Sequence, residues 1–368
     1  MSGDVCGNPE VIELLESYLE TARLHPFGYV AIAMVGHPNV AAIDYGGDTA
    51  LEISSREAVG LLTGRIQASI DNWSLPPSDP DLDASYVAYN LANNPLGYDF
   101  VTWLVDAEMT RAREGAPGPL KVGFWLGQDG RLTATRRLWL ENVFRPALDL
   151  IGAREDSVAI RGQHKEFFVT RDIVGAYRAG EPVPVFRPRK IPKIDAVTIT
   201  LREAKHHPNR NSNVAAWMKF AAILRGQGER VIFVRDTAHA REPLEDFETC
   251  LPASVDLAVR AALYESSKAN LFSSNGPFML VLFGARPYLC FTPVKDNWRG
   301  VGGREFWSKN MAVNPGDQFP WSAPDQRIVW QADTFENIMS AWEGLELSRT
   351  TPIRSTLPWQ GASSASPP

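Results

Sequence analysis

The chain has 368 residues, of which 44% are hydrophobic and 22% charged, and a net charge of −6. That length points to two domains and that composition to an ordinary globular protein. The acidic balance argues against nucleic acid as a main partner, and no run approaches the ~20 apolar residues of a membrane span. Three cysteines, Cys6, Cys250 and Cys290, stand too far apart for a CxxC pair, so a zinc site is not expected. An odd cysteine count without a framework suits a reducing compartment, and the N-terminus has no secretory pattern. The expected location is cytoplasmic, with contact to a membrane surface left open.

In chain order, residues 9–24 have helical spacing of Val11, Leu14, Leu15, Tyr18 and Leu19. Two apolar runs, 29–35 and 40–45, flank Gly36-His37-Pro38-Asn39 and read as a β-hairpin. A helix over 54–70 completes a small α+β unit across 1–75. The stretch 75–83 is rich in Pro and Asp and marks a boundary. Its Asp79, Asp81 and Asp83 match Asp-x-Asp formally, but a solvated acidic loop is the simpler reading.

Residues 76–185 are expected to form a first α/β domain. Asn93 to Asp99 leads into a helix over 100–113, then a strand over 121–126 and a helix over 136–151 that Gly152 ends. Short strands are expected at 158–160 and 167–169. The basic, proline-rich stretch 182–193 reads as an extended, semi-rigid linker.

From residue 194 to 347 strands and helices alternate cleanly. Strands are expected at 195–201, 230–234, 278–283, 288–292 and 328–330, and helices at 213–225, 254–268 and 334–347. Ser212 or Asn213, Ser254, and Asp333 or Thr334 are the expected caps. This pattern predicts an α/β fold with a parallel, doubly wound sheet, whose ligands bind beyond the carboxyl ends of the strands at a switch in strand order. The tail 348–368 is Ser/Pro-rich and is expected to be loosely ordered.

Chemistry-bearing residues gather at those strand ends. The loop 202–212 contains Arg202, Lys205, Arg210 and Asn211 just before a helix start, where free N–H groups favour an anion. The alternative is a solvated charged loop. The turn Ser273-Ser274-Asn275-Gly276 before Pro277 can aim successive N–H groups at a phosphate, and Gly276 admits close approach to the backbone. Asp236 could accept from a ribose hydroxyl or cap a turn, and Glu265 could hold a ribose or be a surface charge. No G-x-G-x-x-G, P-loop or G-x-S-x-G motif is present.

The segments TITLRE (198–203), RNSN (210–213), LRGQGERVIFVRD (224–236) and LFSSNGPFMLVLFGARPYLCF (271–291) resemble a bacterial group assigned as glycosyltransferases of the GT-B fold. The likeness spans roughly 195–347, with GDQFPWSAPDQRIVW (316–330) fitting the same picture. It implies two Rossmann-like doubly wound domains, a nucleotide-sugar donor in the second, and metal-independent transfer without a cofactor. Arg202, Arg210, Asn211, Asp236, Glu265 and Ser273 to Gly276 would then hold the donor. The helix start in the first domain would carry the acceptor side, with Gly97 and Tyr98 in the loop and Asp99 as base. Helix capping is the plainer role for Asp99. The acceptor, whether glycan, lipid or small molecule, is left open. Two rival readings stay beside this one: a nucleotide-sugar epimerase of the same fold, and a non-catalytic nucleotide-sugar-binding scaffold.

Overall fold

The computed structural model describes residues 86–91, 94, 96–125, 133–156, 169–186, 188, 194–205, 207–294 and 302–350. The expected unit at 1–75, the acidic loop at 79–83, the strand at 158–160 and the tail beyond 350 lie outside these residues.

The first sheet is built from β1 (Tyr86–Asn90), β2 (Lys121–Trp125) and β3 (Arg154–Glu155), all parallel and in the order β1-β2-β3. Helix α1 (Asp99–Arg113) joins β1 to β2. A second helical run, α2 (Ala134–Trp139), passes through a π-helical turn (Leu140–Phe144) into α3 (Arg145–Leu150). Gly152 follows with φ +73°, the left-handed conformation that glycine supplies at a helix end. Helix α4 (Thr170–Arg178) closes the lobe, and Val169, expected in a strand, precedes its first turn.

The second sheet has six parallel strands: β4 (Ala196–Thr200), β5 (Arg230–Val234), β6 (Glu248–Thr249), β7 (Ala269–Ser273), β8 (Tyr288–Phe291) and β9 (Gln326–Val329). Their order is β6-β5-β4-β7-β8-β9. Chain order therefore runs outward from β4 in one direction and then outward from β7 in the other. That reversal is the switch point of a doubly wound sheet, and in such sheets ligands bind beyond the carboxyl ends of the strands that flank it, here β4 and β7. The β-branched strand β4 is buried along its whole length, as a central parallel strand must be. Its alternate residues serve two faces. Val197 and Ile199 pack with Trp217, Phe220, Leu289 and Ile338, while Ala196 joins the other core.

Two sequence expectations fail here. The apolar run after the glycine turn is a short helix, α8 (Phe278–Leu282), and the strand lies before the turn, as β7. Phe278, Leu280, Val281 and Leu282 are buried around most of the helix, which erases the polar face that periodicity needs. The helix expected at 254–268 is two, α6 (Leu251–Val255) and α7 (Leu257–Ser266). Asp256 caps the second by accepting from Ala258 N at 2.7 Å and Val259 N at 3.1 Å, so the cap is not Ser254. Helices α5 (Val214–Gly226) and α10 (Phe335–Thr350) lie where expected, and Asn213 caps the former. Strand β1 and helix α9 (Arg304–Asn310) were not foreseen.

The lobes are joined by one continuous apolar core that contains Tyr89, Phe100 and Phe144 together with Tyr264, Phe272 and Phe278. The start of the expected linker is docked: Phe186 is buried and donates its N–H to Phe283 O at 2.8 Å, with the two rings 5.4 Å apart. The expected semi-rigid linker over 182–193 is thus held at Phe186 against the second lobe. A Cβ at position 276 would lie 2.9 Å from the Tyr98 ring and 3.3 Å from Tyr98 Cβ. Glycine is required at 276 by this contact between lobes, and Gly276→Ala is expected to cost about 1–3 kcal/mol, read by urea unfolding. Adding Tyr98→Ala should remove most of that penalty if the contact is its cause.

Candidate functional site

The loop after β4 is folded by its own side chains. Arg202 N donates to Ser212 Oγ at 2.7 Å, and Ser212 N donates back to Arg202 O at 2.8 Å. Asn211 braces the interior: Oδ1 accepts from Ala204 N at 3.1 Å and from the Arg202 guanidinium, and Nδ2 donates to Ala204 O at 3.0 Å. Asn211 was expected to touch a donor directly, but its amide is committed to shaping the loop and aiming Arg202. Arg202 is 5% exposed and also donates to His207 O at 3.1 Å. Burial pulls its guanidinium below the usual value, with nearby Asp236 opposing.

Arg210 ends the 3-10 turn Pro208–Arg210 and crosses the switch point. Its Nη2 donates to Ser274 O at 3.3 Å, and among the described residues it forms no ion pair. Burial, then the positive charge of Arg202, pulls its pKa down to about 10. Two guanidiniums are thus held close together and partly dehydrated. For Arg210, which forms no ion pair among the described residues, such burial beside a like charge is costly.

Across the crevice the turn after β7 divides into two halves. Ser273 is structural. Its Oγ accepts from Ser212 Oγ at 2.8 Å and donates to Asp333 Oδ2 at 2.7 Å. Ser274 N donates to Phe291 O at 2.9 Å, so that N–H is not available to a ligand, contrary to expectation. The N–H groups of Asn275 and Gly276 have no partner among the described residues, and Asn275 Oδ1 is buried without one.

Sequence reasoning saw Asp333 only as a helix cap. In the fold its Oδ2 also accepts from Asn213 N at 2.9 Å and Trp217 Nε1 at 2.8 Å, tying α5 and the end of β7 to the segment before α10. Asp333→Ala strands these donors and is expected to destabilise by roughly 2–4 kcal/mol. Asp333→Asn keeps an acceptor and should lose less, as measured by chemical unfolding.

Asp236 follows β5 and accepts from Thr237 N at 2.8 Å and Glu203 N at 3.3 Å. It faces Arg202 and the buried Arg260, whose guanidinium sits 5.8 Å from the Tyr98 ring centre. Arg260, 4% exposed, was not foreseen, because a cation in an apolar helix gives no sequence signal. Glu265 is misplaced by the sequence reading. It lies near the end of α7, accepts from Ala285 N at 3.3 Å and faces Arg286. That is the amino end of β7 and β8, the opposite edge of the sheet from Arg210, so Glu265 does not belong to this site.

In the first lobe Gly97, Tyr98 and Asp99 follow β1 and open α1. Tyr98 is wedged against Gly276 and Arg260, so it is a lobe-packing residue and not an open acceptor contact. Asp99 follows it as the first residue of α1, with its charge bearing on Tyr89 of the first sheet. Asp99 makes no capping bond to a neighbouring residue; the N-cap position belongs to Tyr98, which has none either. Burial pushes the Asp99 carboxyl up to about 6, opposed only by its own N–H. A carboxylate so tuned is suited to take a proton near neutral pH. Among the described residues no three His, Cys, Asp or Glu side chains gather where they could hold a metal ion, and no helix is long and apolar enough to cross a membrane.

No family model matches the chain, and no curated protein matches it. Solved structures do. One is the iron-containing dodecameric glycosyltransferase TibC from enterotoxigenic E. coli H10407, at 15% identity and TM-score 0.43, covering 75% of this chain and 78% of that one. A glycosyl transferase family 9 protein from Veillonella parvula matches at 10% identity and TM-score 0.40, over 74% of this chain and 99% of its own. The E. coli heptosyltransferase WaaC with ADP matches at 11% identity and TM-score 0.36, over 72% and 99%. At this distance the fold class rests on the chain's own sheets, and it is α/β with two parallel, helix-flanked layers.

Proposed function

We propose that the chain is a GT-B-like glycosyltransferase. In this reading the switch point of the second sheet takes the diphosphate of a nucleotide-activated sugar, and the first lobe presents an acceptor hydroxyl to Asp99. The observation that carries the reading is Arg210. It is partly dehydrated, under the positive charge of Arg202 and without an ion pair among the described residues, and it reaches the turn in which the Asn275 and Gly276 N–H groups have no partner among those residues. A multiply charged oxyanion would satisfy the Arg210 guanidinium and both N–H donors at once, with the charge of Arg202 close by.

The chemistry follows from that placement. The acceptor oxygen bonds to the anomeric carbon while the bond from that carbon to the donor phosphate breaks. The diphosphate leaves with the electron pair, and the acceptor proton passes to Asp99. Arg202, Arg210 and the two N–H groups stabilise the charge that develops on the leaving group. Asn211 and Asp236 hold the loop that aims Arg202. No step in this scheme calls for a metal.

The test is calorimetry with a panel of nucleoside diphosphates and their sugars, followed by a transfer assay with each donor that binds. At least one diphosphate should bind and its sugar should turn over. Absence of binding to every nucleoside diphosphate would overturn the reading. A second reading, a non-catalytic nucleotide-sugar-binding protein, is favoured by the shared core and the Tyr98–Gly276 contact, which hold the lobes together. Donor binding without turnover, unchanged by Asp99→Asn, would select it.

A further inference from the structure

Tyr89 is the fourth residue of β1 and is 1% exposed. Its ring stands edge-on to Phe100 at 4.8 Å, Trp103 at 5.1 Å and Phe144 at 5.4 Å, so it is locked between α1 and the π-helical turn. Yet its hydroxyl is buried with no hydrogen-bond partner. A phenylalanine would fill the same apolar slot without burying a polar group, so the hydroxyl needs a partner in some state of the protein.

Among the described residues, Asn94, Arg136 and Asp99 bear on it. The Asn94 side chain lies beside it without completing a hydrogen bond. Arg136 approaches from α2, with Nη1 donating to the Asn94 carbonyl at 3.0 Å and to the Leu91 carbonyl. From the first turn of α1 comes Asp99, whose negative charge bears on the phenol. The Asp99 carboxylate has only its own backbone N–H as partner among the described residues. An unpartnered donor and an under-partnered acceptor therefore both belong to the carboxyl end of β1 and the helix start that follows it, Tyr89 as the fourth residue of β1 and Asp99 as the first of α1.

Resting on the glycosyltransferase reading for its catalytic meaning, we propose that Tyr89 is a positioning residue for Asp99: its phenol donates a hydrogen bond to the Asp99 carboxylate when that carboxylate is charged, and so fixes its orientation toward the acceptor hydroxyl. Tyr89 touches neither substrate nor reacting atoms. A hydrogen bond to the charged form favours that form, so the phenol limits how far burial can raise the carboxyl.

The experiment uses the full chain and follows Asp99 directly, by carbon NMR of labelled aspartate carboxyls, with the Asp99 signal assigned by its loss in Asp99→Asn. In Tyr89→Phe the Asp99 pKa should rise by at least ~0.5, the sign expected when a donor to the charged form is removed. With a working donor and acceptor, the acidic limb of kcat/KM should move the same way. Turnover should fall roughly 5–50-fold while the Kd for the nucleoside diphosphate stays unchanged, because Tyr89 belongs to the first sheet and not to the proposed diphosphate site. If Tyr89→Phe does not fold, 3-fluorotyrosine at position 89, a stronger donor, should lower the Asp99 pKa. An Asp99 pKa that is the same with and without the hydroxyl overturns the proposal. The titration needs no activity, so it separates the two failures. A shifted Asp99 without any sugar transfer leaves the Tyr89 role standing and removes the glycosyltransferase reading, whereas transfer with an unmoved Asp99 does the reverse.

Discussion

Arg210→Ala is expected to weaken nucleoside diphosphate binding by roughly 10–100-fold while leaving the fold as stable as before, or more so. The first half follows from charge-assisted hydrogen bonds, each of which contributes about 1.5–3 kcal/mol when it is made to an ionised partner. The second half follows from what Arg210 gains in the empty protein. Its one hydrogen bond among the described residues runs to Ser274 O at 3.3 Å, and against it stand burial and the charge of Arg202. Removing the side chain relieves like-charge repulsion and exposes one carbonyl to water. A structural arginine would behave in the opposite way, with a lost melting temperature and unaltered ligand affinity. Calorimetry and thermal unfolding on the same two preparations separate these outcomes. Arg210→Lys should recover only part of the affinity, because an ammonium is a point charge and lacks the planar fork that matches phosphate oxygens.

The second large effect is expected at Asp99. As the base, it must be ionised to accept the acceptor proton, so kcat/KM should rise with pH through about 6, the value to which burial pushes its carboxyl. Asp99→Asn should lower turnover by about 100- to 10,000-fold and abolish that acidic limb, with diphosphate affinity retained. Stability should move the other way. The folded pKa is raised above the unfolded value of 3.8, so the protonated carboxyl is tolerated at low pH and stability is lost as pH rises through about 6. Roughly two pKa units at about 1.4 kcal/mol each set an upper figure of about 3 kcal/mol for the penalty. The Asn variant escapes it. Urea melts should show the variant and the parent alike near pH 4 and the variant more stable above pH 7. A variant that loses both stability and activity at pH 7 would instead mark Asp99 as a fold residue.

Much of the second lobe was legible because its strands are short, β-branched or aromatic and separated by capped helices. The strand at 230–234 and the helix capped by Asn213 fall where the pattern puts them. Arg210, expected on the loop after the first strand of this lobe, does meet Ser274 across the β4–β7 switch point. What failed, failed for physical reasons. The stretch from Phe278 to Phe283 is apolar throughout, and periodicity cannot tell a short buried helix from a buried strand. Asp256 interrupts a helical pattern by capping it afresh, a choice visible only once two orphan N–H groups are known to need an acceptor. Glu265 was assigned by nearness in sequence to the glycine turn, yet a strand intervenes and puts it at the far edge of the sheet. Asn211 and Ser273 carry the right chemistry for a ligand, and the fold spends it on the loop and on Asp333. Tyr89, Arg260 and Trp217 gave no signal, because a buried aromatic or arginine in an apolar run looks like core until its partners are seen.

The most direct measurement is a crystal structure of the chain with a bound nucleoside diphosphate. The account predicts its distal phosphate between Arg210 and the N–H groups of Asn275 and Gly276, with Arg202 within hydrogen-bond distance and Asp99 facing the vacated sugar position. A diphosphate seated elsewhere, with Arg210 still turned to Ser274 O and no phosphate oxygen at the β4–β7 crevice, would contradict it.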